Sequence, residues 1–167
     1  MSILVALVMS DQKGGTNNKL THGVHKMTRK DYAIGVNLRI RGEKLDPDAI
    51  TDILGVSPTI SHEKGDTRLT SANHQVTSKT GLWRLEAESC SPLVSDHISK
   101  LLSDVSANRD IFNGLKGVDD KHIDVFFATG SDKNGGGTIK VNLSKENIAA
   151  IAKTGLPLLI TICVTGR

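Results

Sequence analysis

The 167-residue sequence contains few of the residues on which several functional classes depend. Its two cysteines, Cys90 and Cys163, are too few for a disulfide framework and favour a reducing compartment. Aromatic residues make up 3% of the chain, whereas proteins that bind single-stranded nucleic acid by stacking need several exposed rings. No apolar run approaches the roughly 18 residues that a membrane-spanning helix needs. We therefore expect a cytoplasmic protein that binds neither nucleic acid nor a membrane.

Sequence patterns that carry catalysis or hold a metal ion are also absent. No Gly-x-Ser-x-Gly elbow presents a serine nucleophile, and no histidine lies near Cys90 in the sequence. The six histidines show no spacing that would place ligands on one helix face. The glycine-rich segment 134–137 lacks the Lys-Ser/Thr pair of a phosphate-binding loop. We therefore expect a protein that is not an enzyme, with no catalytic residue, no metal ion and no cofactor.

The net charge of +3 is concentrated at the N-terminus. Residues 1–30 contain five basic residues and one acid, which leaves residues 31–167 nearly neutral. A neutral domain has no electrostatic reason to bind duplex DNA or an anionic membrane. We predict a flexible basic extension over 1–30 and a single folded domain over 31–167. Two alternatives stay open: residues 1–26 precede a natural start at Met27, or residues 2–9 add an edge strand.

The first strongly patterned segment of the domain is Tyr32–Arg41, where apolar and other residues alternate. A period of two over ten residues predicts a half-buried strand whose odd-numbered side chains lie on a wet face. Asp46 and Pro47 then predict the start of a helix over 47–54, which Gly55 ends. The residues expected on the buried side of this helix are Ile50, Ile53 and Leu54.

The remaining segments predict further strands and helices. Residues 59–80 are polar and predict a long loop, and a strand over 82–88 follows with Trp83, Leu85 and Ala87 facing inward. Ser91 with Pro92 predicts the start of the longest helix, about four turns in length. The other expected elements are a short helix near 111–115, strands 123–128 and 138–143 joined as a hairpin, a helix between Ser144 and Gly155, and a central strand over 156–164.

The predicted order of elements is β-α-β-α-β-β-α-β. A mostly antiparallel sheet with helices on one face accommodates this order, which makes the expected fold class α+β, a two-layer sandwich. Such a sheet leaves its second face open. The side chains expected there include Asn37, Asp124, Lys140 and Asn142 besides the charged residues considered next.

Two groups of charged residues are candidates for contact with a protein partner. Long arginine and glutamate side chains on a rigid sheet suit an interface, and acidic side chains around the first helix suit a basic partner. The same charges would also serve as a ladder of cross-strand ion pairs or as helix-terminal charges. The candidate partner-binding residues are Arg39, Arg41, Arg84, Glu86 and Glu88 on the sheet, and Glu43, Asp46, Asp48 and Asp52 near the helix.

An alternative site is the segment 62–68, which combines mixed charges with a glycine. His62, Lys64, Asp66 and Arg68 would line a pocket roofed near Trp83, and would bind a small ligand or support a reaction.

Four short motifs in fixed order resemble those of the domain of unknown function family DUF4279. They are Leu45-Asp-Pro47, Leu54-Gly-x-x-Pro-Thr59, Lys64-Gly-Asp66 and Gly81-Leu-Trp83, and Gly155-Leu-Pro-Leu158 fits the C-terminal strand of that family. The resemblance spans roughly residues 32–164. It implies a small bacterial α+β domain with no established reaction, so no catalytic residue carries over. Such solitary domains often accompany polymorphic toxins as immunity proteins.

Three hypotheses of function follow from the residues and the resemblance together. The first is a non-catalytic immunity protein of a contact-dependent or polymorphic toxin system, which covers the active site of its cognate toxin with a charge-complementary surface. The second is an enzyme or ligand-binding domain that uses the segment 62–68. The third is a structural or dimerising module.

Overall fold

The structure is a computed structural model that describes residues 3–8, 32–89, 91–105, 109–130 and 138–165. Within these ranges the elements are β1 (Ile3–Val8), β2 (Tyr32–Gly42), α1 (Pro47–Leu54), β3 (Ile60–His62), β4 (Thr67–Leu69), β5 (Gln75–Thr77), β6 (Gly81–Glu86), α2 (Val94–Asp104), α3 (Arg109–Gly114), β7 (Asp120–Gly130), β8 (Thr138–Leu143), α4 (Lys145–Thr154) and β9 (Leu158–Thr165).

The main sheet has five strands in the order β3-β6-β2-β7-β9, and only the β7–β9 pair is parallel. Its central strand β2 buries Val36, Leu38 and Ile40 almost completely. These side chains form one core cluster with the buried residues of the four helices. The prediction of an α+β fold, with an antiparallel-dominated sheet and helices on one face, is confirmed.

Local capping signals determine where two of the helices begin and end. Asp46 accepts hydrogen bonds from the backbone N–H groups of Asp48 and Ala49, and Gly55 adopts the left-handed conformation that ends α1. Ser144 accepts from the N–H of Asn147, and Gly155 ends α4 in the same way. Both helices therefore have the predicted limits, although Ile53, expected on the buried side of α1, is 51% exposed.

The predicted hairpin between residues 123–128 and 138–143 is wrong. Strand β8 pairs antiparallel with β1, and its Val141 and Leu143 are buried in the core cluster. A glycine-rich segment predicts a turn but does not determine which strand becomes the partner. Lys140 and Asn142 therefore do not belong to the five-stranded sheet, and residues 131–137 lie outside the described residues.

Strand β9 lies at an edge of the sheet and not in its centre as predicted. Its even-numbered residues Leu158, Ile160 and Ile162 pack against the core, so burial accounts for half of the apolar side chains of this strand. Leu159 is 48% exposed on the opposite side, so the continuous apolar run does not reflect burial on both faces.

Two further boundaries differ from the prediction. Helix α2 begins at Val94 and has about three turns, because Ser91 Oγ accepts from the N–H of Leu93 and donates to Asp96 and so does not cap the helix. The segment 59–80 is not a single irregular loop, since it contains β3 and the β4–β5 hairpin. The residues of that hairpin are exposed on both faces and therefore lack an apolar alternation.

The N-terminal residues are described only over β1. The pairing of β1 with β8 agrees with the alternative that this segment adds a strand. The predicted flexible basic extension otherwise falls on residues 9–30, outside the described residues, and it stays a prediction.

Backbone segments approach each other closely at Gly42 and Gly117. A Cβ atom at Gly42 would overlap the carbonyl group of Gly117, and one at Gly117 would overlap the carbonyl oxygen of Lys44. Gly117 also has a φ of 72°, in the left-handed region. Next to this junction the N–H of Glu43 donates to Asp119 Oδ2 over 2.8 Å, which joins the end of β2 to the start of β7.

We expect Gly117→Ala to lower the free energy of unfolding by at least about 2 kcal/mol, because the methyl group meets backbone atoms and the left-handed conformation is strained. Gly114→Ala is the matched control, since a Cβ atom there meets no atom within 4 Å. The control should be neutral or stabilising by up to about 1 kcal/mol. Urea denaturation measures both changes, and equal effects would contradict the role of the junction.

Candidate functional site

The face of the five-stranded sheet that lies opposite the core is the open face. Because side chains alternate along a strand and residues in register share a face, its members follow from the pairing. They are Ile60 and His62 of β3, Leu82, Arg84 and Glu86 of β6, the odd-numbered residues of β2, the even-numbered residues of β7, and Leu159, Thr161 and Cys163 of β9.

The centre of the open face is a charged cluster that the register brings together. Arg39 of β2 lies directly opposite Arg84 of β6, and Asn37 lies between Glu86 and Asp124 on its two neighbouring strands. An arginine facing an arginine across two strands is unfavourable unless each has a carboxylate nearby. Two ion pairs fulfil this condition: Arg39 Nη1 with Asp124 Oδ2, and Arg84 Nη2 with Glu86 Oε2, both at 3.5 Å.

The two carboxylates of this cluster have different surroundings. The side chain of Asp124 is 8% exposed and also accepts a hydrogen bond from Thr161 Oγ1 of β9 over 3.4 Å. The side chain of Glu86 is 45% exposed and contacts an arginine of its own strand. Asp124 therefore joins β2, β7 and β9, whereas Glu86 remains a surface group.

Several polar atoms of the open face are buried without a hydrogen-bond partner among the described residues. They are Asn37 Oδ1, Arg39 Nε, Arg84 Nε and His62 Nδ1. Asn37 as a whole is 9% exposed. Because an unpaired buried polar atom costs free energy, these four atoms are candidates for further hydrogen bonds.

Exposed apolar side chains adjoin the charged cluster. Ile60 lies in register with Arg84 at one end of the sheet, and Leu159 lies in register with Asp124 at the other. Phe126, 36% exposed, lies two residues beyond Asp124 along β7 and on the same face. The open face thus combines arginines, carboxylates and apolar side chains, a composition that suits a protein interface.

The acidic residues predicted for partner binding lie outside the charged cluster, and two of them already make intramolecular contacts. Asp46 is the N-cap of α1, and Glu43 Oε2 forms an ion pair with Lys64 Nζ over 3.2 Å. Helix α1 packs on the core side of the sheet, where Thr51 accepts a hydrogen bond from Trp83, whereas Arg39 and Arg84 lie on the open face. Asp48 and Asp52 are exposed on α1, and Glu88 is exposed beyond the end of β6. Arg41 is exposed on the open face, at the end of β2.

The residues of the predicted pocket over 62–68 do not converge. Trp83 is fully buried on the core side, where its Nε1 donates to Thr51 Oγ1 over 3.1 Å, so its predicted place above this segment is wrong. His62 belongs to the open face, and Lys64 pairs with Glu43. Asp66 Oδ2 accepts from the N–H of Glu63 within a turn, and Arg68 is exposed on β4.

Sequence reasoning placed Asn37, Arg39, Arg84 and Asp124 on one face, and the structure brings them together. Thr161, His122 and Phe126 lie on the same face and were not predicted there. The sequence contains a signal for His122 and Phe126, because residues two positions before and after Asp124 on a strand lie on the same face as Asp124. No sequence signal identified Thr161, since its contact depends on β9 lying beside β7.

Over the described ranges, no group of three or more His, Cys, Asp or Glu side chains is arranged to hold a metal ion. Among the helices described, none has the length and apolar character required to span a membrane.

Comparison with known proteins identifies one family. The family described as "Domain of unknown function (DUF4279)" matches residues 31–165. No curated protein and no solved structure matches the chain.

We expect Asp124→Ala to lower the free energy of unfolding by about 1–3 kcal/mol, because it removes a buried carboxylate that pairs with Arg39 and accepts a hydrogen bond from Thr161. Glu86→Ala is the matched control, because it removes an exposed carboxylate at the same distance from an arginine. It should change the free energy of unfolding by less than about 0.5 kcal/mol. Thermal and urea unfolding compare the two variants. Similar losses would show that burial does not distinguish the two pairs.

Proposed function

Because the chain belongs to the DUF4279 family, whose description assigns no activity, we propose a function from the open face itself. The proposed function is non-catalytic binding of a protein partner. Its most specific form is neutralisation of a cognate bacterial toxin in the cytoplasm, by covering the active site of that toxin. The observation that supports it is the cluster of buried polar atoms without partners, flanked by exposed apolar side chains.

The chemistry of the cluster indicates what the partner has to offer. Arg39 and Arg84 each have an Nε–H without an acceptor, and Asn37 has a carbonyl oxygen without a donor. A partner segment with a carboxylate or main-chain carbonyl groups would accept from the arginines, and its N–H groups would donate to Asn37. The arginine side chains are about one-third exposed, so part of each guanidinium-bearing side chain is accessible to a partner.

The open face is a better candidate than the acidic group near α1. Asp46 and Glu43 already make intramolecular bonds, so a partner would have to compete for them. The backbone of the open face is fixed by four ladders of strand pairing. A rigid backbone lowers the entropy cost of binding, and central arginines are frequent anchors of interfaces. Electrostatic attraction between the exposed charges would speed the encounter.

The test is co-purification of the chain with the product of a toxin-like gene beside its own, together with protection of cells that express that toxin. Arg84→Ala should weaken binding at least about tenfold, because Arg84 lies in the charged cluster. Its ion-pair partner Glu86 is exposed, so the substitution should leave the fold intact. Arg68→Ala is the matched control, since Arg68 is exposed on β4 outside the open face.

The two variants also separate the open face from the segment 62–68 as the surface that contacts the partner. Loss of binding in Arg68→Ala with retention in Arg84→Ala would place the contact on the segment 62–68. A neighbouring toxin that neither binds the chain nor is neutralised by it would contradict the proposed function.

A further inference from the structure

The outer edge of β9 is a second surface with the properties of a binding site. Strand β9 pairs with β7 on one side, and no strand within the described residues pairs with its other side. It has eight residues, Leu-Leu-Ile-Thr-Ile-Cys-Val-Thr, without charge, proline or glycine. An edge strand of this length and composition is a template for pairing with a further strand, because its backbone N–H and C=O groups need partners.

The direction of the free backbone groups follows from the hydrogen bonds to β7. The N–H of Ile123 donates to the carbonyl oxygen of Pro157, and Asp124 is in register with Leu159. Odd-numbered residues of β9 therefore turn their peptide groups toward β7. Because successive residues of a strand alternate, Leu158, Ile160 and Ile162 present their N–H and C=O groups to the free edge.

The opposite edge of the sheet has the protection that β9 lacks. Strand β3 has three residues, Ile60–His62, and Pro58 precedes it closely. Short strands and nearby prolines are common devices against edge pairing. Within the described residues, one edge of this sheet is therefore protected against strand pairing and the other is not.

We propose that the edge of β9 pairs antiparallel with β9 of a second copy of the chain and forms a two-fold symmetric dimer with a continuous sheet. Two observations support a second copy of the chain as the partner. The strand carries no charge, so identical strands approach each other without like-charge repulsion. The half-buried side chains Leu158, Ile160 and Ile162 are incompletely covered at the edge, and a second copy supplies apolar side chains at the same depth.

The pairing has to place the core sides of both sheets on the same side and to use residues with free backbone groups. Both requirements select the same residues of β9. The core sides of both sheets must coincide, so even-numbered residues must lie opposite even-numbered ones, and these are the residues with free backbone groups. A two-fold axis at Thr161 places Ile160 opposite Ile162 of the partner subunit. This register includes all three half-buried side chains in the overlap. Thr161 then lies opposite the same residue of the second copy, and the two form a non-hydrogen-bonded pair.

Sedimentation of the full chain tests the proposal. The unmodified chain should form a dimer at micromolar concentration, and Thr161→Lys should weaken the dimer at least tenfold, because two lysines then face each other across the axis. Within one copy the new lysine lies beside Asp124, which helps to preserve the fold. Ile60→Lys is the matched control, with the same charge on the same face at the opposite edge.

Disulfide formation tests the register independently of stability. In a chain with Cys90→Ser and Cys163→Ser, Thr161→Cys should cross-link two copies on oxidation, since non-hydrogen-bonded pairs have Cα atoms about 4.5 Å apart and disulfides span roughly 4.4–6.8 Å. Leu159→Cys in the same background should not, because two copies of residue 159 would be about 13 Å apart.

A chain that sediments as a monomer up to high micromolar concentration would overturn the proposal, and so would a dimer that Thr161→Lys leaves unchanged. Cross-linking of Leu159→Cys without that of Thr161→Cys would overturn the register. The dimer is independent of the proposed function, because Arg84→Ala should weaken partner binding and leave the sedimentation unchanged.

Discussion

The alternation of side chains along β2 is the constraint on which the rest of the structure depends. Val36, Leu38 and Ile40 point to one side and form the centre of the core, while Asn37 and Arg39 point to the other. Because the period is two, a slip of one residue in the register would bury the arginine and expose the core. Folding and the arrangement of the candidate site are therefore determined by the same register.

Burial of Asp124 extends this dependence to the neighbouring strands. The carboxylate contacts Arg39 of β2 and accepts from Thr161 of β9, so its position requires three strands in correct order. An ion pair of this kind adds little net stability when it is buried, but it penalises other registers that leave the charge alone. We interpret the cluster as a group that specifies the pairing of strands as well as a candidate contact for a partner.

Features that depend on a few adjacent residues were predictable from the sequence. The limits of α1 and α4 follow from Asp46, Ser144 and the two glycines that end these helices, and the faces of β2 follow from alternation alone. Features that depend on distant residues were not predictable. The partner of β8, the edge position of β9 and the contact of Thr161 are decided by which strands become neighbours, and no local pattern encodes that choice. The predicted pocket failed because Trp83 and His62 point to opposite sides of the sheet.

The position of Trp83 has a practical consequence. It is the single tryptophan of the chain, it is fully enclosed by the core, and its ring nitrogen is bonded to Thr51 of α1. The indole is thus separated from the open face by the thickness of the sheet. Its fluorescence emission is an intrinsic optical signal for the loss of helix–sheet packing, and it requires no dye or label to be attached to the surfaces on which binding is to be measured.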